Sequence, residues 1–163
     1  MTASRFDPLK ALRVLDRHSV RFVLIGGFAA RALGSPSVTN DLDICYDRDP
    51  DNLQALAAAL EELEARLRGA PEGLPFLLDA ETLRRGDHFT FSTTAGGLDV
   101  LGTPAGSGGF ELLRRNALPI ALDDVEVLVA DLPDLIRMKK AAARPKDLIE
   151  VEVLTALLEE REG

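Results

Sequence analysis

Between Phe22 and Tyr46 the chain reads FVLIGGFAARALGSPSVTNDLDICY, and two aspartates in that stretch constrain the fold more than any other feature. Asp41 and Asp43 stand two apart in a run that is otherwise apolar. Side chains in a strand alternate between faces, so both carboxylates project from one face with Cα atoms roughly 7 Å apart, while Leu42 and Ile44 point the other way. Packing alone does not explain such a pair, and a divalent cation is its simplest neutraliser. Upstream, Arg21 to Ile25 reads as a short buried strand broken by Gly26-Gly27, with a helix from Phe28 to Leu33 ended by Gly34. Strand, Gly-Gly, helix is an arrangement that aims backbone N–H groups at an anion. A plain tight turn is the commoner explanation of a lone Gly-Gly pair.

The remaining periodicities supply elements to flank this stretch. Asp7 and Pro8 have the pattern of an N-cap followed by the first helical position, with Leu9, Leu12 and Leu15 on one face to about His18. Asp49-Pro50 opens a second helix in which Leu53, Leu56, Leu60, Leu63 and Leu67 form an apolar stripe that belongs to the core. Gly69 to Pro75 is a Gly/Pro connector, and Asp79 caps a short helix to Arg85. His88 to Thr94 and Leu98 to Leu101 form a hairpin around a three-residue loop, Ala95-Gly96-Gly97, which places Asp99 inside another apolar strand. A loop from Thr103 to Gly109 leads to a short helix from Phe110 to Arg115. Pro119–Leu122 and Val125–Val129 make a second hairpin around Asp123-Asp124. Asp131 caps a helix to about Ala143 that Pro145 ends, and a last helix runs from Lys146 to Glu160. The expected class is α/β (α+β): a mixed β-sheet core with flanking helices. Residues 1–163 are expected to form a single domain whose helical C-terminal portion begins near position 131.

Composition narrows the function classes. With 163 residues, 46% of them hydrophobic and 28% charged, the chain can bury a sizeable core. It holds no run of about 18 apolar residues, so no membrane partner is expected. The start, MTASRFDPLKAL, lacks the apolar segment of a secretory signal. A lone cysteine, Cys45, precludes an internal disulfide and a cysteine zinc site and suits a reducing cytoplasm. The net charge of −8 argues against a surface that traps nucleic acid as a whole. Its distribution is more telling. Five aspartates lie between Asp41 and Asp51, and five basic residues lie between Arg137 and Asp147. Such blocks are ordinarily solvated faces, but these two could meet across one site, carboxylates on metal and cations on phosphate. His18, His88 and Ser107 have no partner at nucleophile or zinc spacing, and Cys45 reads as a small buried residue.

Asp41, Asp43 and Asp99 together can converge on a pair of hard cations, which take oxygen ligands. In nucleotidyl transfer two such ions, about 3.5–4 Å apart, hold the attacking and leaving oxygens in line. Gly26-Gly27, thirteen intervening residues and Asp41-Leu42-Asp43-Ile44, with Thr39 ahead of the first acid and Asp99 as the later third, resemble the signature of the DNA polymerase β-type nucleotidyltransferases. The run from Met138 to Asp147, with its Arg144-Pro145-Lys146-Asp147 ending, is similar to that of minimal nucleotidyltransferases such as the AbiEii-type toxins of toxin–antitoxin and phage-defence systems.

The resemblance implies two Mg2+ (or Mn2+) ions on Asp41, Asp43 and Asp99, with Asp99 also helping to deprotonate an acceptor hydroxyl. Gly26 and Gly27 would admit the β/γ-phosphates of a nucleoside triphosphate, and Thr39 would organise the loop ahead of the strand. Lys139, Arg144 and Lys146 would contact phosphate or acceptor, with Lys140 a weaker candidate, and Asp147 would cap the final helix or orient Arg144. The implied acceptor is a hydroxyl of tRNA or protein, and a cognate toxin or antitoxin is an implied partner. The competing expectation is a nucleotide-sensing or partner-binding module that keeps the fold without catalysis.

Overall fold

A computed structural model describes residues 5–70, 78–142 and 144–163. Its centre is a seven-stranded mixed sheet. In chain order the strands are β1 (Phe22–Ile25), β2 (Asp41–Tyr46), β3 (Arg66–Leu67), β4 (His88–Thr93), β5 (Gly96–Leu101), β6 (Leu118–Leu122) and β7 (Val125–Val129). They lie in the spatial order β3-β4-β5-β2-β1-β7-β6. β1 runs antiparallel to β2, while β2 with β5 and β1 with β7 are the parallel pairs. Seven helices accompany the sheet: α1 (Pro8–Arg17), α2 (Gly26–Ala32), α3 (Pro50–Glu62), α4 (Ala80–Arg85), α5 (Phe110–Asn116), α6 (Leu132–Ala142) and α7 (Pro145–Glu162). The expected mixed α/β architecture is the one found.

Alternation along the central strands separates core from site. Leu42 and Ile44 on β2 and Leu98 and Val100 on β5 are buried, whereas Asp41, Asp43 and Asp99 occupy the intervening, half-buried positions. Leu12 and Leu15 of α1 and Leu56 and Leu60 of α3 are completely buried, each stabilising the fold by about 1.5–3 kcal/mol relative to an exposed side chain. Asp7 caps α1 as expected, its Oδ1 accepting from the Lys10 N–H at 3.2 Å. Asp79 caps α4 through the Thr82 N–H at 2.8 Å. The buried Asn52 amide ties three elements together: it accepts from the Arg21 N–H at 2.7 Å and donates to the Arg21 and Asp47 carbonyls at 3.0 and 2.7 Å.

Four local expectations are corrected. The Gly-Gly pair does not precede its helix: α2 begins at Gly26 itself, which turns directly out of β1 with φ +73°. The leucine stripe does not run through one helix, because α3 stops at Glu62 and Glu64 takes φ +52°. Leu67 therefore sits in β3, on the sheet edge. The first hairpin has a two-residue loop, Thr94-Ala95, since Thr93 pairs with Gly96. The Thr93 hydroxyl closes that loop, donating to the Gly96 carbonyl and accepting from the Ala95 N–H. Pro145 opens α7 at its first turn, where a missing N–H costs nothing. Most of the Gly69–Pro75 connector, and Ala143 at the expected end of α6, lie outside the described residues. Among the described residues no helix is long and apolar enough to cross a membrane.

Candidate active site

Strand register builds the carboxylate cluster. Asp43 is the direct partner of Asp99 in the parallel β2–β5 ladder, and Asp41 is the partner of Gly97. On the other side Asp43 lies opposite Ile25, the last residue before Gly26. The three acids expected from the sequence thus share one sheet face, and Asp43 sits at the meeting of three strands. Burial, then the charge of Asp99 and hydrogen bonding to it, then Asp41, push the Asp43 carboxyl up to about 8, with Lys139 opposing them. One oxygen of Asp99, Oδ1, is buried without a hydrogen-bond partner among the described residues.

Gly26 is required where it stands. A Cβ there would collide with the Asp43 carboxylate, and its positive φ disfavours any side chain. A Cβ at Gly27 would approach Thr39 Cβ and Oγ1 at 3.0 Å. Thr39 in turn donates to the Asp41 carbonyl at 3.1 Å. Thr39 therefore pins the loop that delivers the aspartate strand, and the start of α2 packs directly on Asp43 and Thr39.

The C-terminal cations divide. Asp147, whose side chain is completely buried, accepts from Arg144 Nε at 2.7 Å and from the Arg144 backbone N–H at 3.2 Å. It also pairs with Lys139 Nζ at 3.4 Å. Its carboxyl is held below the usual range, chiefly by the Arg144 hydrogen bond. Asp147 thus both caps α7 and orients two of the expected phosphate ligands. The charge of Lys139 opposes the rise of the Asp43 carboxyl. Lys146 is exposed and makes no ion pair among the described residues. Elsewhere in the two charge blocks, Asp47, Asp49 and Asp51 pair with Arg21 and Arg137 pairs with Asp134, whereas Lys140 is exposed and makes no ion pair among the described residues.

Two residues of the site have no counterpart among the expectations. Arg68, just beyond β3, brings Nη2 to 3.4 Å from Asp41 Oδ1 and 3.6 Å from Asp99 Oδ1. Gly97 leaves the room in which they meet, because a Cβ there would collide with both Asp41 and Arg68. The only advance signal for Gly97 was its place two residues before Asp99. Arg68 had none.

The donors fit a hard divalent cation: three carboxylates on one face, an unsatisfied Asp99 oxygen, and crowding that raises Asp43. Among the described residues, however, no three His, Cys, Asp or Glu side chains are grouped so that they could hold a metal ion as they stand. Asp43 and Asp99 face one another across the ladder, whereas Asp41 engages Arg68.

The same fold is found among solved structures that are similar over nearly the whole chain. Among solved structures, lincosamide antibiotic adenylyltransferase LnuA, crystallised with lincomycin, superposes with a TM-score of 0.60 at 13% identity, covering 92% of this chain and 95% of its own. The antibiotic-resistance factor ANT(2'')-Ia gives 0.55 at 17% identity over 95% and 90% of the two chains. TM1012 from Thermotoga maritima, described provisionally as a nucleotidyltransferase, gives 0.53 at 16% identity over 96% and 97%. At such identities the likeness is one of fold. No protein-family model and no curated protein matches the sequence.

Proposed function

We propose that this chain is a nucleotidyltransferase that moves a nucleoside monophosphate from a nucleoside triphosphate to a hydroxyl. The observation that carries the reading is the register of Asp43 against Asp99, with Gly26 packed on the Asp43 carboxylate, on this fold. An acceptor oxygen bonds to the α-phosphorus, the bond to the departing pyrophosphate breaks, and the hydroxyl proton goes to a carboxylate. Asp99 suits that last role, because Oδ1 has no protein hydrogen bond to give up. Two Mg2+ or Mn2+ ions on Asp41, Asp43 and Asp99 would neutralise the triphosphate and lower the cost of forming the attacking oxyanion.

The chain's own groups position the substrate. Gly26 and Gly27 have no side chain between the α2 backbone and an approaching phosphate. Lys139 and Arg144 supply positive charge and are held by the same carboxylate, Asp147. Lys146 serves at the rim. Catalysis by such a set is mostly positioning and charge placement.

The Met138–Asp147 run favours a macromolecular acceptor, a tRNA 3′ end or a protein Ser, Thr or Tyr, within a toxin–antitoxin or phage-defence pair in the cytoplasm. A second reading follows from the names of the first two structural neighbours: a small hydroxylated antibiotic. α-Labelled nucleoside triphosphates offered with tRNA, lysate protein and a lincosamide separate these acceptors. Label transfer is expected in the wild type and lost in Asp41→Ala and Asp43→Ala; transfer that survives both substitutions defeats the assignment. Tight, metal-dependent nucleotide binding with no transfer to any acceptor supports the non-catalytic module instead.

A further inference from the structure

We propose that Arg68 is a built-in counter-cation of the carboxylate site, which a divalent ion must displace to load. The inference rests on the metal-binding reading above and concerns a residue outside the expected set. Three observations place Arg68 in that role.

First, one guanidinium nitrogen lies within ion-pairing range of two different acids on two strands, Asp41 and Asp99. Those are two of the three groups that would ligate metal. Second, the pairing is loose. At 3.4 and 3.6 Å neither contact has closed to the 2.7–2.9 Å of a strong charge-assisted hydrogen bond. The same Nη2 makes its shorter bond, 3.0 Å, to the Phe91 carbonyl, and Asp99 Oδ1 stays without a hydrogen bond. Third, the residue is mounted to move. Its backbone N–H is fixed to the Thr90 carbonyl at 2.9 Å, while the side chain is 38% exposed. A change of side-chain rotamer that gives up the Phe91 bond would carry the charge off the acids and into water, with no movement of the backbone. Gly97 completes the arrangement, since any side chain there would fill the space where Asp41 and Arg68 approach.

An ordinary surface ion pair would need neither the paired acids nor that clearing. Arg68 supplies one positive charge against three crowded carboxylates, enough to hold the face together but too little and too distant to satisfy it. A divalent cation brings twice the charge and binds oxygen directly, so it wins the competition while still working against the guanidinium. Removing that charge should tighten metal binding. A residue that merely stabilises the sheet edge would leave it unchanged, and one that helps to bind metal would weaken it when lost.

The test is Mn2+ binding to nucleotide-free protein, read by electron paramagnetic resonance of the free ion. It compares wild type, Arg68→Gln, Arg68→Met and Asp43→Asn, with far-UV circular dichroism confirming each fold. Both Arg68 variants should bind Mn2+ more tightly than wild type, by about three- to tenfold, the scale of a partly exposed ion pair. Mn2+ should also raise their melting temperatures more than it raises that of wild type. Equal or weaker binding in a folded Arg68 variant overturns the proposal while leaving the metal site intact. If wild type and Asp43→Asn bind Mn2+ alike, the metal-binding reading itself fails, a separate outcome.

Discussion

Replacing Asp43 with asparagine probes the charge crowding at the site without any substrate. Burial, Asp99 and Asp41 together lift the Asp43 carboxyl from 3.8 to about 8. Over that interval the folded chain retains a proton that the unfolded chain has released, so the folded state binds more protons and loses stability as pH rises. Below about pH 4 both states are protonated and nothing is lost; above about pH 8 the full cost is felt. At about 1.4 kcal/mol per pH unit the ceiling is about 5–6 kcal/mol. A cleft carboxylate draws in water when it ionises, so about 2–3 kcal/mol is expected between pH 5 and pH 8. The assay is urea unfolding in EDTA at both pH values. Asp43→Asn cannot ionise and should lose at least about 2 kcal/mol less than wild type over the same interval. Groups remote from the site act on both proteins alike. Identical pH dependence in the two proteins would refute the account of a carboxylate crowded by its neighbours.

Further outcomes follow from geometry already described. Gly26→Ala should destabilise by more than about 1–2 kcal/mol, since it adds a collision with Asp43 to the cost of a positive φ. Gly69→Ala, at φ +81° with nothing within 4 Å of its Cβ among the described residues, measures that conformational cost in the same denaturant titration. Asp147→Asn should cost about 1–3 kcal/mol by removing the negative charge that Arg144 and Lys139 share and turning one accepting oxygen into a donor. Because the Asp147 carboxyl is held low, its contribution is present above about pH 4 and disappears as pH falls further, so the variant should lack that part of the acid-unfolding limb. Leu98→Ala, on the buried face of β5, should cost about 2–5 kcal/mol, a fall of several degrees in calorimetric melting temperature. A shift under about 2 °C would mean that the core closes over the missing side chain.

Features with a local cause were readable along the chain, and features made by distant pairing were not. The caps at Asp7 and Asp79 and the alternation that turns Asp41 and Asp43 to one face depend only on neighbours in sequence. Asp99 stood out as an acid between apolar residues, but its register with Asp43 is a tertiary fact. The end of α3 was misread because Leu63 and Leu67 continue the helical spacing, while the break at Glu64 carries no glycine or proline to announce it. That error hid β3, and with it Arg68. Gly96-Gly97 looked like turn residues; the turn is made by Thr94-Ala95 with help from the Thr93 hydroxyl, which leaves Gly97 in the strand beside Asp41.

The parallel pairing of β2 with β5 has a consequence in time. Asp43 and Asp99 are 56 positions apart, and no hairpin can join two parallel strands. Closing a loop of that length costs about 3–4 kcal/mol of chain entropy before any contact offsets it. At about 5–20 residues per second of synthesis, Asp99 is made some 3–11 s after Asp43. A ribosome-bound chain that ends before β5 has only part of the carboxylate cluster. On the proposed reading, nucleotidyl transfer would wait until the β4–β5 hairpin has docked, because Asp99 arrives with it.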